Sequence, residues 1–144
     1  MHKTLPVLLA ALVGLAGCSK SGADPQPMPA PYAALLTAGT WQWHAHRGVA
    51  TPKAGGNPTE YETKASPGAM AVAYSADGQL RVIYSPPYPA ESGTYTLSGA
   101  TRTETISGRA STNTITELRA NRLVYVSAGE DGNFRYVDTW TFVR

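Results

Sequence analysis

From position 40 onward, apolar and polar residues alternate in short runs broken by turn residues, the period of antiparallel strands rather than of βαβ units. The first run, residues 40–47, places Trp41, Trp43 and Ala45 on one face and Gln42, His44 and His46 on the other. A loop over 48–58 follows, carrying Thr51-Pro52, Gly55-Gly56 and Asn57-Pro58. Further strands are predicted over 60–65, 69–75, 79–85, 93–98, 102–107, 111–118, 122–127 and 134–143, eight or nine in all. Asp77-Gly78 supplies the left-handed positions of a tight hairpin, and Pro86-Pro87-Tyr88-Pro89 cannot donate ladder bonds and must be a loop. Frequent threonine suits a pleated, half-exposed surface. Tyr32-Ala33-Ala34-Leu35-Leu36-Thr37 offers a helical turn just before the first strand. The class is all-β, a sandwich or barrel.

The other apolar segment, residues 5–16, follows a short positive start, Met1-His2-Lys3, and is too short to span a bilayer as a helix. It ends in Leu15-Ala16-Gly17-Cys18, which holds the only cysteine of the 144 residues and resembles the lipobox of bacterial lipoproteins. Small residues fit a signal-peptidase cleft, and a thiol is the nucleophile able to carry a thioether-linked diacylglycerol. The resemblance implies a signal peptide over 1–17, lipidation at Cys18 and anchoring in the cell envelope by fatty acyl chains such as palmitate. Several chains together hold far more firmly than one. Ser19 after the cysteine, rather than Asp, is the pattern associated in such proteins with the outer membrane. Residues 18–31 carry four prolines and little to bury. They form a tether with a reach of about 40 Å at roughly 3 Å per residue.

What remains, residues 32–144, is the size of one domain. Gly39-Thr40-Trp41 resembles the Gly-x-Trp element with which lipocalins open, and the order of the later segments is similar to bacterial lipocalin-like domains. These segments are Tyr74-Ser-Ala-Asp-Gly78, Gly93-Thr-Tyr-Thr-Leu-Ser-Gly99, Ile115-Thr-Glu-Leu118 and Leu123-Val-Tyr-Val126. The resemblance implies an up-and-down antiparallel barrel of about eight strands, closed at one end by Gly39 and Trp41. It also implies a stacked arginine near the C-terminus, with Arg144 closest to that description and Arg135 the alternative.

The formal charge of +2 is not concentrated on any segment, which argues against nucleic acid as a partner. With Cys18 acylated, no thiol remains for a disulfide, a zinc-thiolate site or catalysis. There is no Gly-x-Ser-x-Gly elbow, no His-Glu-x-x-His pair and no phosphate-binding glycine loop. Glu60 and Glu62 share a face without a companion cleft. The expectation is a protein that is not an enzyme and takes no cofactor.

Three patterns carry candidate chemistry. His44 and His46, two apart on a regular strand, share a face and are weak candidates for a metal. Phe134, Tyr136, Trp140 and Phe142 share a face with Asp138, a carboxylate in an aromatic stripe that needs a partner. That face either binds a ligand, or Asp138 is turned outward by a bulge or paired with Arg81, Arg122 or Arg135. Finally, Trp41, Trp43, Tyr74, Tyr84, Tyr95, Tyr125 and Trp140 either line a pocket or fill the barrel. The expected activity is non-covalent binding of a small hydrophobic ligand, with Trp43, Tyr74 and Trp140 as apolar walls and Asp138 as polar anchor. The alternative is a solid barrel acting as an envelope scaffold that displays loops 48–58 and 85–91 to a protein or glycan.

Overall fold

The computed structural model describes residues 30–144, so the expected signal peptide, Cys18 and most of the expected tether lie outside the described residues. A short helix, α1 (Ala30–Thr37), leads into nine strands. They are β1 (Thr40–Pro52), β2 (Thr59–Lys64), β3 (Met70–Tyr74), β4 (Gln79–Tyr84), β5 (Glu91–Ser98), β6 (Thr101–Ile106), β7 (Arg109–Arg119), β8 (Arg122–Glu130) and β9 (Phe134–Val143). From β3 to β9 each strand pairs antiparallel with the next, β3 pairs with β1, and β1 pairs with β9 to close an eight-stranded barrel. Closure leaves no free edge in that ring. The ninth strand, β2, lies along β1 outside it.

β1 is longer than the sequence pattern suggests. It runs on through Gly48 to Pro52, so half of the expected 48–58 loop is strand and only residues 53–58 connect to β2. Along one edge it pairs with β9 from Gln42 to Pro52. Along the other it pairs with β3 at Thr40, Trp41 and Gln42, then with β2 from Ala45 to Ala50. The exchange of partners falls at His44, where the β9 register shifts between Trp43 and Ala45. Two residues of β1 there occupy the space of one, a β-bulge.

The bulge overturns the expected facing. Trp43 opposes the buried Phe142, but beyond the shift it is His46 that opposes Trp140 and Gly48 that opposes Asp138. His46 therefore joins Trp41 and Trp43 on the inner face, while Ala45 turns away with His44.

The end of the barrel beside α1 is packed. Leu36, Trp41, Leu80, Leu123 and Phe142 are buried there with Val72, Tyr95, Ile115 and Leu118. Trp41 Nε1 donates to the Leu36 carbonyl at 2.8 Å, and the Arg144 guanidinium lies 3.9 Å over the Trp41 ring while donating to the Leu35 carbonyl at 3.0 Å. Arg144, not Arg135, is the stacking partner. Arg135 pairs loosely with Glu130, 3.8 Å away on β8. A side chain at Gly39 would begin 3.5 Å from Arg144, so this glycine sits against the closing pair without being sterically forced.

The Asp-Gly hairpin forms as expected, with Gly78 at φ 82°. A second tight turn, Ser107-Gly108 at φ 51° and 77°, joins β6 to β7 and lets β7 begin earlier than the pattern indicates.

Candidate functional site

Asp138 on β9, Gly48 on β1 and Tyr61 on β2 occupy one row across three neighbouring strands. Because Gly48 has no side chain, the Tyr61 ring reaches over β1 and its hydroxyl donates to Asp138 Oδ1 at 2.5 Å. A Cβ at Gly48 would lie 2.2 Å from Tyr61 Cζ and 2.4 Å from Asp138 Oδ1. His46, one step along β1, brings Nε2 within 2.9 Å of the same carboxylate oxygen. A carboxylate oxygen accepts, so Nε2 is the donor of this bond. The imidazole stacks on Trp140, with centroids 4.0 Å apart and planes at 13°, and meets Tyr61 edge-on at 5.5 Å. His46 and Asp138 keep 17% and 20% of their side-chain surface exposed, so solvent reaches the cluster. The hydrogen bond to Asp138, reinforced by burial and by that carboxylate's charge, pushes the Tyr61 phenol up to about 12.

Deeper in the barrel, Trp140 lies 6.2 Å from Trp43 and 6.4 Å from Tyr125, which in turn stacks on Phe142 at 5.7 Å. Trp140 Nε1 donates to Ser127 Oγ at 3.3 Å. Trp43 Nε1 is buried and has no acceptor among the described residues.

Past this aromatic layer lies a buried polar network. The Arg102 guanidinium, fully buried, sits 4.0 Å over the Tyr125 ring, pairs through Nε with Glu104 Oε1 at 3.1 Å, and donates from Nη1 to the Tyr74 hydroxyl at 2.6 Å. Tyr74 donates on to Glu104 Oε1 at 3.0 Å, and Asn113 Nδ2 reaches Glu104 Oε2 at 3.3 Å. Burial pushes the Tyr74 phenol well above its ordinary range, with Arg102 opposing that shift. Burial opposes the charge on Arg102, but Tyr74 and Glu104 around it outweigh the effect and hold the proton. Among the described residues Arg102 Nη2 is buried with no hydrogen-bond partner, and Nε has only its ion-pair contact with Glu104.

Of the residues singled out from sequence, Trp43, Asp138 and Trp140 come together on the inner face beside His46, whereas Tyr74 lies apart in the Arg102 network. Asp138 is neither turned outward nor paired with Arg81, Arg122 or Arg135; its partners are His46 and Tyr61. The two histidines do not share a face. His44 lines an outer depression of about 350 Å³ with Arg47, Lys64 and Arg122, while His46 points to Asp138. Among the described residues no three or more His, Cys, Asp or Glu gather closely enough to hold a metal. Glu60 and Glu62 line an outer groove of about 470 Å³, where Glu62 pairs with Arg47 at 3.2 Å, an exposed bridge of small energetic weight. Sequence reasoning missed Tyr61, Gly48, Arg102, Glu104 and Asn113. The signal for Tyr61 is its position as the lone aromatic of Thr59-Glu-Tyr-Glu-Thr-Lys64, and that for Arg102 and Glu104 is opposite charges two apart on one strand face. No known family profile and no curated protein matches the chain.

Proposed function

We propose that the chain is a lipid-anchored, lipocalin-like barrel of a bacterial envelope, most simply the outer membrane, that binds a small, largely apolar molecule non-covalently. The observation that carries the reading is the Trp43 indole N–H, a buried donor in the aromatic layer of Trp43, Trp140 and Tyr125 with no acceptor among the described residues. A buried donor left unpaired costs about 1–3 kcal/mol, and a ligand bringing an acceptor oxygen among these rings recovers it. The packing asymmetry supports the same half of the barrel. The α1 end is filled and stapled by Arg144, so a ligand belongs with Trp43, Trp140 and the partly exposed His46 and Asp138.

The test is native mass spectrometry of residues 22–144, which include the whole barrel, exported to a periplasm and sprayed after gentle purification. The expected result is a discrete adduct lost on collisional activation and depleted in Trp43→Phe, which removes the indole N–H and keeps a smaller aromatic ring. A bare monomer from the wild-type chain overturns the reading. Anchoring is tested separately: Cys18→Ala should end palmitate incorporation and move the protein out of the membrane fraction.

One observation favours a second reading, an interaction module. Tyr88, in the proline-rich loop between β4 and β5, is 69% exposed and borders a shallow depression with Tyr84, Pro89 and Glu91. On that reading Tyr88→Ala abolishes capture of a protein or glycan and leaves any small-molecule adduct intact.

A further inference from the structure

We infer that the outer face of the barrel carries a binding site for a phosphate monoester, in the depression of about 350 Å³ that His44, Arg47, Lys64 and Arg122 rim. Strand register accounts for the depression. Lys64 on β2, Ala45 on β1, Thr141 on β9 and Val124 on β8 stand opposite one another in a single row across four strands. The middle of that row is short: Thr141 and Val124 are buried and Ala45 carries only a methyl, so together they make a floor. Long side chains stand around it, Lys64 at the end of the row, Arg47 and Glu62 in the next row, and Arg122 two residues before Val124 on β8. The bulge sets His44 beside Ala45 on this same outer face and brings an imidazole to the rim.

The charges and their directions select the ligand. Three permanent cations line the depression against a single carboxylate, that of Glu62. Glu62 takes only Nη2 of Arg47, at 3.2 Å, and Glu117 takes only Nε of Arg122, at 3.0 Å, so each guanidinium keeps free N–H groups. The Lys64 ammonium has no ion-pair partner among the described residues. A planar carboxylate is met by one guanidinium fork. Here the donors arrive from β1, β2 and β8 around a floor that adds the Thr139 and Thr141 hydroxyls, which suits a tetrahedral group with three acceptor oxygens and more than one negative charge. The depression continues along β1 into the outer groove, with which it shares Arg47, Glu62 and Thr139, and Val49 and Val137 there offer apolar contact to the organic part of the ester.

The experiment titrates the full chain in a neutral detergent, by isothermal calorimetry at one ionic strength, with glycerol 3-phosphate, with phosphatidate in mixed micelles and with acetate. The expected result is one-to-one saturation by a phosphate ester, with acetate much the weaker. Lys64→Gln and Arg122→Gln each weaken the midpoint by about tenfold, the loss of one charged contact. Arg135→Gln, at an exposed position outside the depression, leaves it unchanged. Saturation by glycerol 3-phosphate assigns the site to a free ester and saturation by phosphatidate alone assigns it to a lipid headgroup, and either supports the site. No saturation by both, acetate binding as well as the esters, or a midpoint that neither Lys64→Gln nor Arg122→Gln moves overturns it. Lys64 and Arg122 are exposed, so an unaltered Tm separates loss of binding from loss of fold. Failure here leaves the small-molecule reading intact, because that reading stands on Trp43.

Discussion

Gly48→Ala is the most discriminating single substitution in this molecule, because two opposing effects of known sign meet at it. Gly48 does not adopt a left-handed backbone conformation, so alanine there is allowed and, on chain entropy alone, would stabilise the fold by about 0.5–1 kcal/mol. The added methyl, however, would stand 2.2 Å from Tyr61 Cζ and 2.4 Å from Asp138 Oδ1, more than an ångström inside ordinary contact. Tyr61 must then swing away. Its hydrogen bond to a carboxylate is worth about 1.5–3 kcal/mol and its edge contact with His46 about 0.5–1.5. Because the cluster is partly open to solvent, water replaces part of that loss, which puts the net destabilisation at about 1–2 kcal/mol. For a domain of this length that is a fall in Tm of about 4–8 °C. Thermal unfolding followed by near-ultraviolet circular dichroism, in the wild-type and in a Tyr61→Ala background, measures it. With the ring gone, the cost of the methyl should shrink by more than half. A rise in Tm in the wild-type background, or an equal fall in both, refutes the reasoning.

Arg102→Met strands Glu104 in the core and should cost about 3–5 kcal/mol by urea unfolding, whereas Arg102→Met with Glu104→Gln should recover at least half; strict additivity would count against a coupled pair. Arg144→Ala should cost about 1–2 kcal/mol and shift tryptophan emission, since it uncovers Trp41 and frees the Leu35 carbonyl. Arg135→Ala, at an exposed and loose pair, should stay within about 0.5 kcal/mol, and equal effects of the two would mean that Arg144 does not close the barrel. The folded chain holds the Tyr61 proton to about 12, above the ordinary phenol value of 10.0. That contribution to stability is complete below pH 10 and lost as pH rises toward 12. Asp138→Asn should flatten the alkaline decline over that window, and an unchanged decline would show that Asp138 does not hold the proton.

The class and most strand positions were legible because β3, β4, β5 and β6 alternate cleanly and their turns carry Gly78 and Gly99. The length of β1 was not, because Gly48, Thr51 and Pro52 read as loop residues. Gly48 is instead the row position over which Tyr61 crosses, and Pro52 is the last strand residue. The facing of His46 was hidden by a bulge, which shifts alternation by one residue and leaves no mark in composition. Arg102, Glu104 and Asn113 were passed over because charged and amide side chains read as solvent-facing, and only their mutual bonding makes burial affordable. Asp138 in an aromatic stripe signals the need for a partner, and an arginine is the ready expectation for a carboxylate, whereas the chain supplies an imidazole and a phenol from strands that sequence order does not make adjacent to β9.

The bulge at His44 also says something about how this barrel tolerates change in chain length. Opposite β9, one residue of β1 is surplus: Trp43 keeps Phe142, Ala45 keeps Thr141, and His44 has no counterpart between them. Excising His44 would therefore leave every downstream partner and every inward side chain where it is, at the loss of one bond from the Ala65 amide and some local twist. Excising Arg47 or Val49 instead would turn the far part of the strand inside out. A strand can thus carry one position at which a deletion is silent in register, beside positions at which the same deletion is ruinous.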